Sequence, residues 1–389
     1  MDIKRFKSHA SGRLVETWYE DKPCLAFVPH LLPPKLSMDD MELLLTLSDA
    51  DRALGELAGL GRTTPNPQLL IRPFIRREAV LSSKIEGTQT GIADLYAYEA
   101  GQLPLPGIGS PSSTADAQEV LNYVRALEYG LEQLEKSPID LVLIQDMHRR
   151  LMKGVREARA VPGEFRTGQN WIGGATIRSA DFVPPPVAEM REALDALEKY
   201  MLAGHDFQPL VRLAFIHYQF EAIHPFWDGN GRAGRLLLPL LMVHWKLLPE
   251  PLLYLSAFFE KRREEYNDLL MAVSEQGKWR EWVIFFLQGV CEQAKDAIRR
   301  AKQIQDLQKG WHERLTTMGV SSRLLGLADR LFDTPLITIP DAQGILGTTS
   351  YQTAKRNVQR LVKADILRQV GEEEYGKVFV ANEILSLAE

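Results

Sequence analysis

A twelve-residue segment from His224 to Arg235 (HPFWDGNGRAGR) constrains the fold of this chain more than any other stretch. Its centre, Asp228 to Gly231, is a run of turn-forming residues, and an apolar run at 236–241 follows it. This order predicts a loop that leads into the N-terminus of a buried helix. Backbone N–H groups without helical partners and the positive end of the helix dipole meet at such a junction, which therefore suits a phosphate.

The side chains of this segment also indicate phosphate chemistry. Gly229 and Gly231 let the backbone approach a phosphate closely, because they carry no side chain. Arg232 and Arg235 are three residues apart and so project from one side of the first helical turn. Asp228 offers the kind of oxygen ligand that Mg²⁺ prefers, and the ion would bridge phosphate oxygens.

His224 is the candidate general base, because an imidazole pKa near ~6.5 suits proton transfer at neutral pH. His217 lies two helical turns earlier, about 10.5 Å along the axis, which is too far for both rings to bind one metal. We therefore interpret His217 as a packing or supporting residue. The spacing of Glu221 and His224 also fits a di-iron bundle, but that site needs a second Glu-x-x-His, and the sequence contains none.

The segment resembles the signature of the Fic (filamentation induced by cAMP) family, HPFx[D/E]GN[G/K]RxxR, and agrees with it at every defined position. Residues 215–223 resemble the helix before the Fic loop. Residues 162–166, 170–173 and 182–186 resemble the β-hairpin flap of the family. The resemblance covers nearly the whole chain and implies transfer of AMP from ATP to a protein hydroxyl. Lysine at position 231 would resemble kinase-like relatives, so Gly231 favours AMP transfer.

With this resemblance, the phosphate-binding roles divide among the motif residues. Asn230, with the backbone of Gly229 and Gly231, would hold the α- and β-phosphates of ATP. Arg232 would hold the β-phosphate and Arg235 the γ-phosphate, both as charge-assisted donors.

Residues outside the loop complete the expected site. Tyr266 and Asn267, on the helix after the motif, are candidates for the adenine and ribose pocket, although a helical tyrosine more often belongs to the core. Phe226 is predicted to anchor the loop in the core. The flap, Asn170–Val183, would present the backbone of the target protein by strand addition, and the alternative is an ordinary surface hairpin.

Ser82 to Gly87 (SSKIEG) resembles the (S/T)xxxE(G/N) inhibitory motif of Fic proteins, in the class that carries the inhibitory helix N-terminally. We predict a helix that starts near Pro73, runs to Glu86 and stops at Gly87. A carboxylate in the last helical turn is disfavoured by ~0.3–1 kcal/mol, which a nearby arginine would more than offset. Pairing of Glu86 with Arg235 would occupy the guanidinium that the γ-phosphate needs. The alternative is a solvent-exposed glutamate.

Two further functions stay open at this point. In some Fic relatives the inhibitory glutamate positions water that removes AMP from a modified target, so Glu86 could serve a de-AMPylase. The chain could also be a DNA-binding regulator with a nucleotide-sensing Fic core. Self-modification and a homodimer are implied by the resemblance only.

The chain divides into three predicted domains: a Fic-associated N-terminal region at 1–110 with the inhibitory helix, the Fic core at 111–316 and a winged-helix domain at 317–389. The expected fold is mainly α, with the flap as a short β-hairpin. The predicted elements are a hairpin at 14–28, a helix from Met41, helices at 116–134, 141–155, 251–275 and 279–316, and a loop at 103–109.

The last 70 residues resemble a winged-helix domain. Lys355, Arg356 and Arg360 lie on the second helix, which would place them in a major groove. The glutamates at the wing tip would repel phosphate, so a protein-docking or dimer-supporting module is the alternative. The predicted elements are helices at 338–346 and 351–362 and strands at 366–370 and 377–380.

Bulk properties favour an intracellular enzyme. The chain is 45% hydrophobic over 389 residues, which allows a large core and more than one domain. The net charge of −5 argues against general coating of nucleic acid. Cys24 and Cys291 are far apart and indicate a reducing compartment. No apolar run approaches the ~18 residues of a membrane span, and the polar N-terminus lacks a signal peptide, so we expect a cytoplasmic protein without a membrane segment.

Overall fold

The structure is a computed structural model that describes residues 1–7, 11–101, 113–155, 161–204, 207–370 and 377–388 of the chain. Helices make up most of it, which confirms the predicted mainly α class. The helices are α1 (Met41–Thr63), α2 (Gln68–Ile85), α3 (Ile92–Glu99), α4 (Thr114–Gln133), α5 (Leu141–Leu151), α6 (Val187–Leu202), α7 (Pro209–Ile223), α8 (Asn230–His244), α9 (Ser256–Lys261), α10 (Arg263–Gln276), α11 (Trp279–Thr317), α12 (Ser322–Arg330), α13 (Ile339–Ile345), α14 (Tyr351–Lys363) and α15 (Asn382–Ala388). The strands are β1 (Gly12–Tyr19), β2 (Lys22–Pro29), β3 (Leu336–Thr338), β4 (Arg368–Val370) and β5 (Val378–Val380).

The two helices around the motif form as predicted. α7 is buried on almost all sides, because it is apolar around most of its circumference. It ends at His224, whose φ of 50° lies in the left-handed region. α8 begins at Asn230, directly after Gly229, which has a φ of 75° and so favours glycine. The loop therefore leads into the N-terminus of a buried helix.

The first predicted hairpin is confirmed and supports the flap. β1 and β2 pair antiparallel around a two-residue turn, Glu20 and Asp21, with φ of 48° and 57°. The backbone N–H of Phe27 in β2 donates to the carbonyl of Val183 at the base of the flap (2.8 Å). The rings of Tyr19 and Trp171 meet edge to face, with centroids 5.3 Å apart.

The flap reverses direction as predicted. Ile172 and Phe182 form an antiparallel bridge, in which the N–H of Ile172 donates to the carbonyl of Phe182 at 2.8 Å. Gly173 and Gly174 turn the chain with φ of 69° and 65°. Phe182 is buried, whereas Ile172 is exposed, so the flap has an inner and an outer side.

The helix that carries Glu86 starts earlier than predicted. α2 begins at Gln68 and contains Pro73 in its second turn, because packing of its buried residues outweighs the missing N–H of that proline. Its C-terminus is as predicted. The N–H groups of Gly87 and Thr88 donate to the carbonyls of Lys84 (3.0 Å) and Ser83 (3.2 Å), which is a Schellman motif. Gly87 has a φ of 103°, so this ending requires glycine.

The predicted helix at 251–275 is wrong in its extent. Pro249 and Pro251 provide no N–H donor, and helix α9 begins only after them. Arg262 then separates α9 from α10. Its guanidinium lies 4.1 Å from the centroid of the Phe258 ring, four residues earlier, and 2.8 Å from Oε2 of Glu292 in α11. The contact with Glu292 is a tertiary one that helical periodicity does not indicate.

Helix α5 is shorter than the helix predicted at 141–155. α5 ends at Leu151 and not at residue 155, and a turn follows in which Gly154 has a φ of 75°. The loop predicted at 103–109 lies outside the described residues.

The C-terminal elements follow the predicted order. β3, β5 and β4 form an antiparallel sheet in that order; α13 follows the outer strand β3 directly, and α14 precedes the other outer strand, β4. Thr338 caps α13 in a reciprocal pair of hydrogen bonds with Asp341. The basic residues of α14 are exposed, and the predicted wing tip lies outside the described part of the chain. The assignment as a winged-helix domain stays a prediction.

The chain divides into two compact units, and the motif lies in the first and α2 in the second. They are Met1–Gly59 with Arg125–Lys295, and Leu60–Val124 with Asp296–Glu389. The three-domain division expected from the sequence stays a prediction. Within the ranges that the structure describes, no helix combines the length and apolar character that a membrane span requires.

Ion pairs hold α2 within the second unit. Arg76 donates twice to the carboxylate of Glu99, from Nε at 2.8 Å and from Nη2 at 2.9 Å. Arg72 lies 3.2 Å from the carboxylate of Asp333. Bidentate, partly buried pairs fix geometry more than they add stability. These contacts therefore set the position of the helix that ends at Glu86.

We expect Gly87→Ala and Gly310→Ala to change stability in opposite directions. Alanine at position 87 must adopt a φ of 103°, which costs ~1–2 kcal/mol. Gly310 lies within α11, where an added Cβ meets no atom within 4 Å, so alanine should gain ~0.5–1 kcal/mol. Thermal unfolding of both variants measures the difference, and an equal shift of both melting temperatures would contradict it.

Candidate active site

His224 presents one ring nitrogen as a base. Its Nδ1 lies 3.3 Å from the backbone carbonyl oxygen of Glu221. A carbonyl only accepts hydrogen bonds, so Nδ1 carries the hydrogen in this contact, and Nε2 of the neutral ring carries the lone pair. The side chain is half-buried at the end of α7. The geometry therefore suits proton acceptance at Nε2.

Arg166 holds the strained backbone around His224. Its side chain is fully buried, and burial lowers its pKa to about 10. The guanidinium donates to the carbonyls of His224 (3.0 Å) and Gly168 (2.9 Å) and also to that of Pro185. The backbone N–H of Arg166 donates to the carbonyl of Pro225 at 2.9 Å. Motif spacing did not indicate a role for this arginine, and its place in the flap-like segment was its only signal in the sequence.

The amide of Asn230 closes the motif loop. Its Oδ1 accepts from the N–H of Phe226 (2.8 Å), and its Nδ2 donates to the carbonyl of the same residue (2.9 Å). Asn170, at the start of the flap, donates to that carbonyl as well (3.0 Å). The side chain of Asn230 is therefore engaged in holding the loop, and its predicted contact with phosphates stays a prediction. Phe226 is fully buried and anchors the loop, as expected.

The charged residues of the motif gather at the start of α8. Arg232 and Arg235 are 4% and 3% exposed, although both are charged. Nη2 of Arg232 lies 3.5 Å from Oδ2 of Asp228, whose side chain is about one-third exposed. Two buried cations beside a helix N-terminus make a site of positive potential, which favours an anion. The structure thus brings these predicted residues together on one helix end.

Asp228 fits a magnesium ion that is held mainly by phosphates. Mg²⁺ is usually bound by one or two carboxylates with substrate phosphates and water. Asp228 supplies one partly exposed carboxylate, and no group of three or more acidic, histidine or cysteine ligands occurs in the described ranges. A cage built from protein ligands alone would need more of them.

His148 was missed by the sequence analysis. It is 1% exposed and stacks on Phe226, with ring centroids 3.6 Å apart and an interplanar angle of 4°. Its ring nitrogens contact the backbone of Gly163 and Asp228. Burial lowers the pKa of His148 to about 4, so the ring is neutral at pH 7. A single histidine in an amphipathic helix gave no signal of these contacts.

The candidate nucleoside-pocket residues lie in different surroundings. Tyr266 is 3% exposed, and its hydroxyl lies 2.9 Å from Nε2 of His217. Its ring stacks on Phe259 with centroids 4.5 Å apart. Asn267 is exposed on the same helix. Tyr266 therefore belongs to the core here, and the roles of both residues toward adenine and ribose stay predictions.

The inhibitory residues lie at the end of α2. Ser82 is fully buried, Glu86 is the exposed C-cap residue, and Gly87 ends the helix. Pairing of Glu86 with Arg235 stays a prediction.

Family models match two adjoining parts of the chain. Residues 44–132 match the Fic/DOC family N-terminal model, and residues 138–242 match the Fic/DOC family model. The second match includes the whole motif loop and α7. This chain is therefore a Fic domain protein.

Named relatives and solved structures agree with this assignment. The chain is 30% identical over 217 residues to "Protein adenylyltransferase fic-1" of Caenorhabditis briggsae, which covers 54% of this chain and 39% of that protein. It is 28% identical over 162 residues to "Protein adenylyltransferase Fic" of Drosophila persimilis, which covers 41% of this chain and 29% of that protein. The chain thus spans less than half the length of these relatives.

The fold likeness extends further along the chain. A Fic family protein from Desulfovibrio desulfuricans G20 superposes with a TM-score of 0.57 at 20% identity, over 90% of this chain and 98% of that one. Fic-1 from Caenorhabditis elegans gives a TM-score of 0.53 at 23% identity, over 67% and 74%.

We expect the stability of the protein to fall as the pH drops from about 6.5. Burial lowers the pKa of His148 to about 4 and that of His217 to about 3, from 6.5. Below 6.5 the unfolded chain binds protons that the folded chain does not, so each histidine destabilises by up to ~1.4 kcal/mol per pH unit in this window. Denaturant unfolding between pH 7.5 and 4.5 measures the slope. His148→Gln should flatten it, and an unchanged slope in that variant would contradict the assignment.

Proposed function

We propose that this chain is a protein adenylyltransferase that transfers AMP from ATP to a Ser, Thr or Tyr hydroxyl of a protein. One observation carries the proposal: a candidate base at the end of α7 begins the same short loop that ends in a helix N-terminus with two buried arginines. The names of the relatives support it. The target protein would add its backbone to the flap as a further strand. This chain is itself a candidate target.

The proposed reaction is an in-line displacement at the α-phosphorus of ATP. The target hydroxyl oxygen forms a bond to phosphorus, and the bond to the oxygen that bridges to the β-phosphate breaks. Nε2 of His224 accepts the proton of the hydroxyl, and pyrophosphate leaves with both electrons of the broken bond. Arg232 and Arg235 stabilise the charge on the β- and γ-phosphates.

Asp228 would hold Mg²⁺ on the pyrophosphate side of the site. When bound, the ion supplies charge neutralisation for the leaving group. The protein side chains bind and orient the phosphates around it. Tyr266 and Asn267 are proposed to border the adenosine part of ATP.

Glu86 is proposed to inhibit the transfer by pairing with Arg235. The Schellman motif at Gly87 supports this, because it fixes the backbone of the last turn of α2, from which Glu86 projects. With the guanidinium occupied, the γ-phosphate would lose its partner, and ATP would bind unproductively. A homodimer and a cytoplasmic location complete the proposal and rest on the family resemblance and on the composition.

Label transfer from ATP in the presence of Mg²⁺ tests the function. We expect Glu86→Gly to label protein from α-labelled ATP at least ~10-fold more than wild type, because Arg235 is released for the γ-phosphate. Glu86→Gly with His224→Ala should lose ~100-fold or more, as expected for a general base. The γ-labelled nucleotide should give no transfer in any variant.

The other possible results of this experiment would contradict the proposed function or indicate a different one. Transfer from the γ position would mean a kinase and contradict the proposal. No transfer in Glu86→Gly, with the protein folded and with candidate targets present, would also contradict it. Release of AMP from a pre-modified target by wild type, and not by Glu86→Gly, would identify a de-AMPylase that uses Glu86.

Exposed basic residues on α14 favour a second candidate, a DNA-binding regulator. Lys355, Arg356 and Arg360 are all exposed on this helix, which follows a short turn after α13. Reversal of the three charges should lower DNA affinity at least ~10-fold and reduce its salt dependence. His224→Ala should leave that affinity unchanged. Equal binding by the reversed variant would eliminate this function.

A further inference from the structure

His148 lies against the motif loop but takes no part in the proposed reaction. It is on α5, and its ring contacts two backbone groups from different segments. The N–H of Gly163 donates to Nδ1 at 3.0 Å, and Nε2 lies 2.9 Å from the carbonyl oxygen of Asp228. The buried ring joins the start of the flap-like segment to the motif loop.

These two contacts determine the tautomer of His148. Nδ1 accepts a hydrogen bond, so it carries the lone pair of the ring. The hydrogen of the neutral imidazole is therefore on Nε2, which donates to the carbonyl of Asp228. No other arrangement of a neutral ring satisfies both partners.

The hydrogen bond from Nε2 also orients the following N–H group. In a trans peptide, the carbonyl of Asp228 and the N–H of Gly229 point in opposite directions. Because the carbonyl points toward α5, the N–H of Gly229 points to the other side of the loop. This group is one of those expected to bind the α- and β-phosphates.

The peptide needs such an anchor because Gly229 does not resist rotation. Gly229 has a φ of 75°, and glycine populates positive and negative φ almost equally. Side chains at the C-terminal end of α5 also pack against Gly229. A Cβ at Gly229 would lie 3.3 Å from Nε2 of His148 and 2.8 Å from the sulfur of Met152, one helical turn further on.

We propose that His148 is a positioning residue whose Nε2–H holds the Asp228–Gly229 peptide so that the Gly229 N–H faces the nucleotide phosphates. The inference rests on the proposed function, since it needs ATP to bind at this loop. It does not require His148 to touch the nucleotide.

Two substitutions separate the two contacts of the ring. In His148→Gln, the side-chain amide reaches the place of Nε2 and can still donate to the carbonyl of Asp228. In His148→Asn, the amide oxygen lies near the place of Nδ1 and can still accept from Gly163, but the contact with Asp228 is lost. Met147→Ala is the control, because it removes a buried neighbour on the same helix (4% exposed).

Calorimetric titration of ATP and of adenosine into the Glu86→Gly protein and its double variants tests the inference. His148→Asn should weaken ATP binding ~10-fold, because the hydrogen bond from the Gly229 N–H to a charged phosphate is lost. Adenosine has no phosphate, so its binding should change by no more than ~2-fold. His148→Gln and Met147→Ala should bind both close to the Glu86→Gly protein. The kcat/KM for ATP should follow the ATP affinities.

Three outcomes would overturn the inference. They are equal weakening by asparagine and glutamine, equal weakening of ATP and adenosine by His148→Asn, and a loss in Met147→Ala as large as that in His148→Asn. Each of these results would mean that His148 only packs against the motif loop and does not position the Asp228–Gly229 peptide. ATP binding without AMP transfer in the Glu86→Gly protein would refute the proposed function alone, because the binding comparison does not depend on transfer.

Discussion

The motif loop depends on a pair of hydrogen bonds that Asn230 makes with Phe226. These bonds connect the loop to Asn230, the first residue of α8. They also give hydrogen-bond partners to the N–H and the carbonyl of Phe226, which is buried. Because Phe226 is also packed by the ring of His148, the loop is held from both sides. The N–H groups at the start of α8 are thus organised before any ligand binds, which lowers the cost of binding one.

Arg166 and His224 show how the same loop tolerates strain. His224 has a φ of 50°, which is unusual for a residue with a side chain and is typical of functional sites. The buried guanidinium of Arg166 donates to the carbonyls of this residue, Gly168 and Pro185, so charged hydrogen bonds connect the strained turn to the flap. Burial of this arginine costs free energy, and its several carbonyl partners offset that cost.

The sequence was sufficient for the features that arise from local chemistry. The run of turn-forming residues at 228–231 before an apolar segment predicted the loop and α8, and Gly87 predicted the end of α2. The sequence was insufficient where tertiary contacts decide. α2 begins before Pro73, and Arg262, whose side chain pairs with Glu292 of α11, interrupts a periodic segment. The supporting roles of Arg166 and His148 arise between segments distant in the chain, so motif spacing did not reveal them.

A crystal structure of the Glu86→Gly protein with an ATP analogue that cannot transfer AMP would show directly whether the start of α8 binds the nucleotide phosphates. We expect the β- and γ-phosphates within hydrogen-bond distance of Arg232 and Arg235. We also expect the Gly229 N–H on the phosphate side and the α-phosphorus on the side of His224 Nε2. Phosphates bound away from the start of α8, or an α-phosphorus shielded from His224, would contradict the proposed function of this loop.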